Sequence, residues 1–241
     1  MTELWLIHFS VESWVSPKLW CDYFEGAQDI LGTKVKFLDT NDPVRKRVTS
    51  VTDAAQFVAD HGSEQLFGKC QARGVGFSVQ YFGPSEQSAN SFKWYFEAPT
   101  TDKNILDLQH LFDLGNKLLS TFYSLADSRI QIAQKKKPSG AVNLEMELIG
   151  VFWLTYFNGS YVNYFGADKV AQLPGIRWDS NGGGTTILGE HPTKVDPSVR
   201  RKLEEMLGSS SFVDPTDSRG KLVGQSALTF GQLRSPSPAS E

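Results

Sequence analysis

Residues 74–97 read GVGFSVQYFGPSEQSANSFKWYFE. Two alternating runs flank a segment of turn chemistry. Val75, Phe77, Val79 and Tyr81 share one face of the first run, and Phe92, Trp94 and Phe96 are in phase in the second. A period of two marks a half-buried strand. Gly83–Asn90 between them is loop material, so the stretch predicts an antiparallel hairpin with a long tip. Pro99 stops the second strand. A helical stripe then follows: Ile105, Leu108, Phe112, Leu119, Phe122 and Ala126, with Leu111, Leu118 and Leu125 beside it. This predicts one helix from Lys103 to Ala126. At 1.5 Å per residue it spans roughly 35 Å, so its stripe must lie across a sheet.

Toward the N-terminus, Leu4–Phe9 reads as a strand. Ser16-Pro17 opens a helix carrying Trp20, Phe24, Ala27 and Leu31, with Gly32 as its stop. Val35–Leu38 is a second strand. Asp39–Thr49 is a polar loop with Arg45, Lys46 and Arg47, and a second helix is capped by Thr52 and ends near Gly62. Toward the C-terminus, Ile130–Ala133 reads as a closing strand. Lys135–Gly140 is a charged link, which sets the expected division: an N-terminal α+β half, 1–134, a C-terminal half, 141–213, and an extended or disordered tail, 214–241. In the second half, 144–157 is apolar and 160–173 is helical, weakened by Gly166. Ile176–Trp178 and Thr185–Leu188 form a hairpin around a glycine-rich turn. Asp196-Pro197 opens a helix with Val199, Leu203 and Met206 facing inward and Gly208 just beyond. Hairpin-then-helix order in both halves predicts an α+β fold, with mainly antiparallel sheets and helices on one face. The shared order suggests a loose duplication, and a doubly wound α/β fold is excluded.

The composition fits this. The chain has 241 residues, 40% of them hydrophobic, with 24 basic and 27 acidic residues for a net charge of −3. That disfavours nucleic-acid binding through a basic face and allows a basic partner. The longest near-continuous apolar stretch, Leu148–Phe157, is ten residues, against the roughly twenty a membrane helix needs. Cys21 and Cys70 are far apart and read as small buried hydrophobes, and the N-terminus lacks the pattern of a signal peptide, so a cytoplasmic location is expected.

The catalytic inventory is nearly empty. Gly62–Lys69 misses the P-loop spacing, with Cys70 where a Ser or Thr should sit, and Gly74-Val75-Gly76 is no dinucleotide fingerprint. His8, His61, His110 and His191 are scattered singly, so neither a zinc site nor any other metal or cofactor site is expected. Glu145 and Glu147 read as a solvated strand face and Lys135–Lys137 as a solvated linker. No catalytic residue is assigned. The pattern points to a protein that binds, with an enzyme or small-ligand protein whose pocket lies between the sheets as the alternative.

One arrangement is familiar. Val151-Phe152-Trp153-Leu154-Thr155-Tyr156-Phe157 is followed by Ser160–Gly166, Leu173-Pro174-Gly175, a glycine-rich hairpin, Glu190-His191-Pro192 and an Asp-Pro helix. This order resembles the C-terminal half of bacterial immunity proteins from polymorphic toxin systems, in particular the family called immunity protein 52. There a W-L-x-Y segment precedes a short helix, a Gly-Gly hairpin and a final amphipathic helix. The likeness covers residues 1–210. It implies an α+β inhibitor of a cognate toxin delivered by a contact-dependent or type VI secretion system, often a nuclease. Exposed acids and aromatics would then meet a basic cleft. The expected contacts are Asp39, Asp42, Glu86, Trp178, Asp179 and Glu190.

Overall fold

The computed structural model describes residues 2–61, 65–80, 89–98, 101–135, 142–179, 183–192, 196–216 and 221–234. The fold is α+β, with ten strands and eight α-helices among the described residues. The chain divides into two units, Met1–Ser124 and Leu125–Glu241.

In the first unit the predicted hairpin is β5 (Val75–Gln80) and β6 (Asn90–Ala98), antiparallel, with Phe77 opposite Trp94 and Val79 opposite Phe92. Its tip lies outside the described residues. Along its whole length β6 also pairs with β1 (Thr2–Ser10), from Thr2↔Ala98 to Ser10↔Asn90. On the other side come β4 (Gln65–Cys70), β2 (Val35–Asp39) and β3 (Lys46–Arg47), giving the order β3-β2-β4-β5-β6-β1, antiparallel throughout. Sequence analysis missed β4. Its inward side chains are Leu66, Gly68 and Cys70, and a Cβ at Gly68 would run into the Phe77 ring. A strand that leaves room for a neighbour's ring shows little hydrophobic alternation.

The helix α1 (Pro17–Leu31) starts where Ser16 Oγ accepts from Leu19 N and stops at Gly32, whose φ of 62° is left-handed. The helix α2 (Val51–Asp60) is capped by Ser50, not Thr52: Ser50 Oγ accepts from Asp53 N at 3.0 Å. Trp20, Tyr23 and Phe24 of α1 pack edge-on and tilted against Phe77, Phe92 and Trp94 of the sheet. Indole donors inside this core are matched: Trp94 Nε1 to Tyr23 Oη at 2.8 Å, Trp20 Nε1 to Trp14 O at 2.7 Å, Trp14 Nε1 to Leu119 O at 3.1 Å.

The long helix is shorter than its stripe implied. It is α3 (Asp102–Leu118), closed by Leu119 N donating to Gly115 O, and after Ser120, at φ 48°, the chain turns into β7 (Tyr123–Ser128). Every residue of β7 is buried. A strand buried on both faces has no period of two, so Phe122, Leu125 and Ala126 continued a helical spacing by coincidence. Between β1 and α3, His8 is fully buried, with Nδ1 3.0 Å from Ser124 Oγ and 3.3 Å from Asn116 Oδ1. Gly115 leaves the ring its space. Burial pushes the imidazole down to about 3. Cys70 is buried and Cys21 half-buried.

The second unit holds the rest of β7, then α4 (Arg129–Ala133), β8 (Leu154–Phe157), α5 (Gly159–Phe165), α6 (Ala167–Ala171), β9 (Ile176–Trp178), β10 (Thr185–Leu188), α7 (Pro197–Leu207) and α8 (Phe230–Arg234). The strand order is β7-β8-β10-β9, with β8–β10 and β10–β9 antiparallel. The expected strand at 130–133 is instead α4, capped by Ser128 Oγ accepting from Gln131 N. Gly166, at φ 91°, divides the expected 160–173 helix into α5 and α6. The expected tail packs as far as Arg234: Ser226, Ala227, Phe230 and Leu233 are buried, and Glu145 accepts from Phe230 N at 2.7 Å. No helix among the described residues is long and apolar enough to cross a membrane.

Candidate functional site

The predicted contact residues fall into two groups. In the first unit, Asp39 ends β2 and Asp42 lies in the loop before β3. Asp39 is half-buried, and its carboxylate accepts from Arg45 N at 3.2 Å and Asn41 N at 3.3 Å. The Arg45 N–H leads the group of backbone donors that hold its carboxyl below the ordinary range. Asp39 therefore shapes the loop, whereas Asp42 is exposed. Glu86 lies outside the described residues.

In the second unit, Trp178, Asp179 and Glu190 belong to the β9–β10 hairpin and its flanks, and all three are exposed. Two glycines shape this hairpin. Gly175, at φ 69°, lets the chain pass against the Leu188 carbonyl, where any Cβ would collide. A Cβ at Gly184 would strike the Tyr156 hydroxyl. Burial, with the Asp179 charge added, pushes that phenol up to about 12. Trp178 is 45% exposed, so a large ring stands at the open end of the sheet order.

A second feature of this unit was not anticipated. The inward face of α7 is Arg200, Leu203, Glu204 and Leu207, while Val199 and Met206 are exposed at 44% and 42%. The expected face was turned by one position because two of its members are charged. Arg200 Nη2 lies 2.5 Å from Asp127 Oδ2, and Nη1 donates to Gln131 Oε1 at 3.0 Å. Its guanidinium lies over the Phe152 ring. Asp127 also accepts from Trp153 N at 2.9 Å and Ser128 N at 2.6 Å. Burial still dominates and pushes its carboxyl up to about 6, against the pull of Arg200. Glu204 takes both Lys135 Nζ contacts, at 2.7 and 2.8 Å, and accepts from Val151 N at 3.1 Å.

The other two charge expectations are also corrected. Glu147 is buried and 2.8 Å from Lys221, so it is no solvated strand face. Lys135 is half-buried and paired, so it is no solvated linker, while Lys136 and Lys137 lie outside the described residues. Lys221 Nζ donates to the Ser210 and Phe212 carbonyls as well.

These pairs edge a groove of about 740 Å³ whose lining includes Gln131, Lys135, Arg200, Glu204, Phe212 and Lys221. Its inner charges are matched pair by pair, so the arrangement locks α7 onto β7 and α4 and ties the 209–213 segment to Lys221 rather than presenting a net charge. Among the described residues no group of three or more His, Cys, Asp or Glu side chains is gathered as metal ligands would be. The one sequence signal for this network is in α7. There Arg200 and Glu204 stand four apart, interleaved with Leu203 and Leu207, also four apart.

No family model and no curated protein matches the sequence. Among solved structures the fold is similar to that of the Pseudomonas aeruginosa T6SS protein PA0821, with a TM-score of 0.62 and 13% identity, over 96% of this chain and 81% of that one.

Proposed function

We propose that this chain is an immunity protein. It binds a cognate secreted toxin of a type VI or contact-dependent system in the cytoplasm and neutralises it by stoichiometric association, without turnover. The observation that carries the reading is the fold held in common, over 96% of the chain, with a protein named for the type VI secretion system. The likeness of Val151–Gly166 and the following glycine-rich hairpin to immunity protein 52 supports it further. So does the surface. Of the ten large apolar side chains exposed among the described residues, only Val15 and Leu106 belong to the first unit. Apolar anchors among acids suit a protein interface. A nuclease toxin would bring the basic cleft that Asp42 and Glu190 could steer toward.

The test is co-expression with the toxin encoded beside this chain. Growth should be rescued, and the two proteins should co-purify in equal amounts. Reversing Asp39 with Asp42, or Asp179 with Glu190, to lysine should weaken the complex in at least one case. Rescue that survives both reversals rejects these acids as contacts. One observation favours a small-ligand reading instead: the groove, where Arg200 Nε is buried without a partner among the described residues. Measurable turnover or ligand binding abolished by Arg200→Lys, with no co-purifying neighbour, would shift the conclusion to that reading.

A further inference from the structure

We propose that two copies of this chain join edge to edge through β9, in an antiparallel pairing centred on Trp178. The proposal goes beyond the immunity reading and does not depend on it. The strand β9 ends the sheet order of its unit, and among the described residues only one of its sides is occupied. Leu188 N donates to Gly175 O and Asp179 N to Gly184 O. In an antiparallel ladder bonded and non-bonded pairs alternate, so Gly175, Arg177 and Asp179 turn their main chain toward β10. Ile176 and Trp178 turn theirs outward. Their N–H and C=O groups have no partner among the described residues.

Such an edge is a template for another strand unless it is guarded. The end strand of the first unit, β3, is guarded: it consists of Lys46 and Arg47, preceded by Arg45. The β9 edge, Ile176-Arg177-Trp178 followed by Asp179, carries one charge of each sign and an exposed indole.

Charge decides the occupant. A two-fold pairing that bonds the outward groups can be centred on Ile176, Arg177 or Trp178. Centring on Arg177 sets two guanidinium groups opposite each other, which opposes pairing. Centring on Ile176 sets Arg177 opposite Gly175 of the other copy and gains no charge contact. Centring on Trp178 sets each Arg177 opposite Asp179 of the other copy, twice, on the face away from the indole. It also lets the two Trp178 residues exchange both main-chain hydrogen bonds. The edge is complementary to itself in that register alone, so the occupant is a second copy.

Sedimentation of the full chain over a concentration series tests this. The wild type should pass from one to two chain masses. Arg177→Asp places two carboxylates opposite each other at both ends of the seam and should weaken the dimer by about tenfold or more. Asp179→Arg should do the same with two guanidinium groups. The double swap R177D/D179R restores complementarity and should restore the dimer. Trp178→Pro removes only an outward N–H, so it should abolish the dimer with the circular dichroism and the unfolding midpoint kept. A wild type that stays monomeric overturns the proposal. So does a dimer indifferent to both single reversals and to the proline. A toxin complex that Trp178→Pro blocks, with a monomeric wild type, assigns the edge to the toxin and also overturns it. Toxin rescue is read by growth and dimerisation by mass, so the two readings fail separately.

Discussion

The first unit is held by rings, and the second adds buried charge pairs to a smaller cluster of rings, Phe157, Tyr161, Phe165 and Phe212. In the first, strands of up to nine residues pair in full register, and Trp20, Tyr23, Phe77, Phe92 and Trp94 fill the space under α1. In the second, β8, β9 and β10 run only three or four residues. Its helix α7 is fixed by buried pairs, Arg200 with Asp127 and Glu204 with Lys135, and a third pair, Glu147 with Lys221, joins two loop segments. Two adjoining stretches of one chain thus reach the same fold class with different dependence on sequence. An apolar core degrades gradually as volume is lost. A buried pair tolerates joint replacement but not the loss of one member.

The largest effects should separate these two modes. Trp94→Ala should cost about 3–5 kcal/mol in urea unfolding, through lost area and a cavity. Arg200→Ala should cost a similar amount, about 3–5 kcal/mol, because Asp127 is left buried without its cation and must stay charged there or take up a proton. The partner changes then diverge. Phe77→Ala added to Trp94→Ala should deepen the loss. Asp127→Asn added to Arg200→Met should recover at least half of the loss of Arg200→Met alone, since the amide still accepts from Trp153 N. Failure to recover would mean that Arg200 acts through packing over Phe152 rather than through its charge.

Acidification should move the two units in opposite directions. The His8 imidazole is pushed down to about 3 in the fold, against an ordinary value of about 6.5. Between those values the unfolded chain binds the proton and the native chain does not. His8 therefore contributes stability above pH 6.5 that is lost as the pH falls, about 2 kcal/mol by pH 5. Asp127 is pushed up to about 6. Its native carboxyl binds the proton first, so its contribution is present below about pH 4 and lost as the pH rises through 6. Going from pH 7 to 5 it should gain about 1 kcal/mol. Stability profiles of His8→Gln and Asp127→Asn against wild type measure each slope. Hydrogen exchange at pH 7 and 5 should show peptides around 4–10 and 92–98 losing protection relative to those around 150–157. Parallel slopes in the two variants would remove the contrast.

Legibility follows the same division. The β5–β6 hairpin, α1, the β9–β10 hairpin and the limits of α7 could be read because alternation, caps and glycine stops are local. The strand β4 could not, because its inward face is made of Gly68 and Cys70 around a neighbour's ring. The strand β7 could not, because burial on both faces erases its period. The inward face of α7 was misread for a sharper reason. Periodicity scores a charged residue as outward, and Arg200 and Glu204 face inward only because Asp127 and Lys135, about seventy positions away in the chain, meet them. Of the expected contacts, the exposure of Asp42, Trp178, Asp179 and Glu190 agrees with their loop and hairpin-end positions, while Asp39 spends its carboxylate on its own loop.

The smallest contrast concerns helix starts, where the two units should behave alike. Ser50 Oγ accepts from Asp53 N at 3.0 Å to begin α2, and Asn158 Oδ1 accepts from Tyr161 N at 3.1 Å to begin α5. Both caps satisfy one of the N–H groups that a first turn leaves open, and neither depends on the packing of the core behind it. Ser50→Ala and Asn158→Ala should each cost about 1 kcal/mol, with no change in the pH slopes. The helices differ in the first turn beyond the cap. The carboxylate of Asp53 in the first turn of α2 reaches back to Thr49 N and Thr49 Oγ1, a second tie that α5, with no acid in its first turn, lacks. Ser50→Ala should therefore fall at the lower end of the range and Asn158→Ala at the upper. If Asn158→Ala costs much more than that, α5 is held by its cap rather than by Tyr161 and Phe165 packed on Phe157. The second unit would then depend on polar contacts even where its side chains are rings.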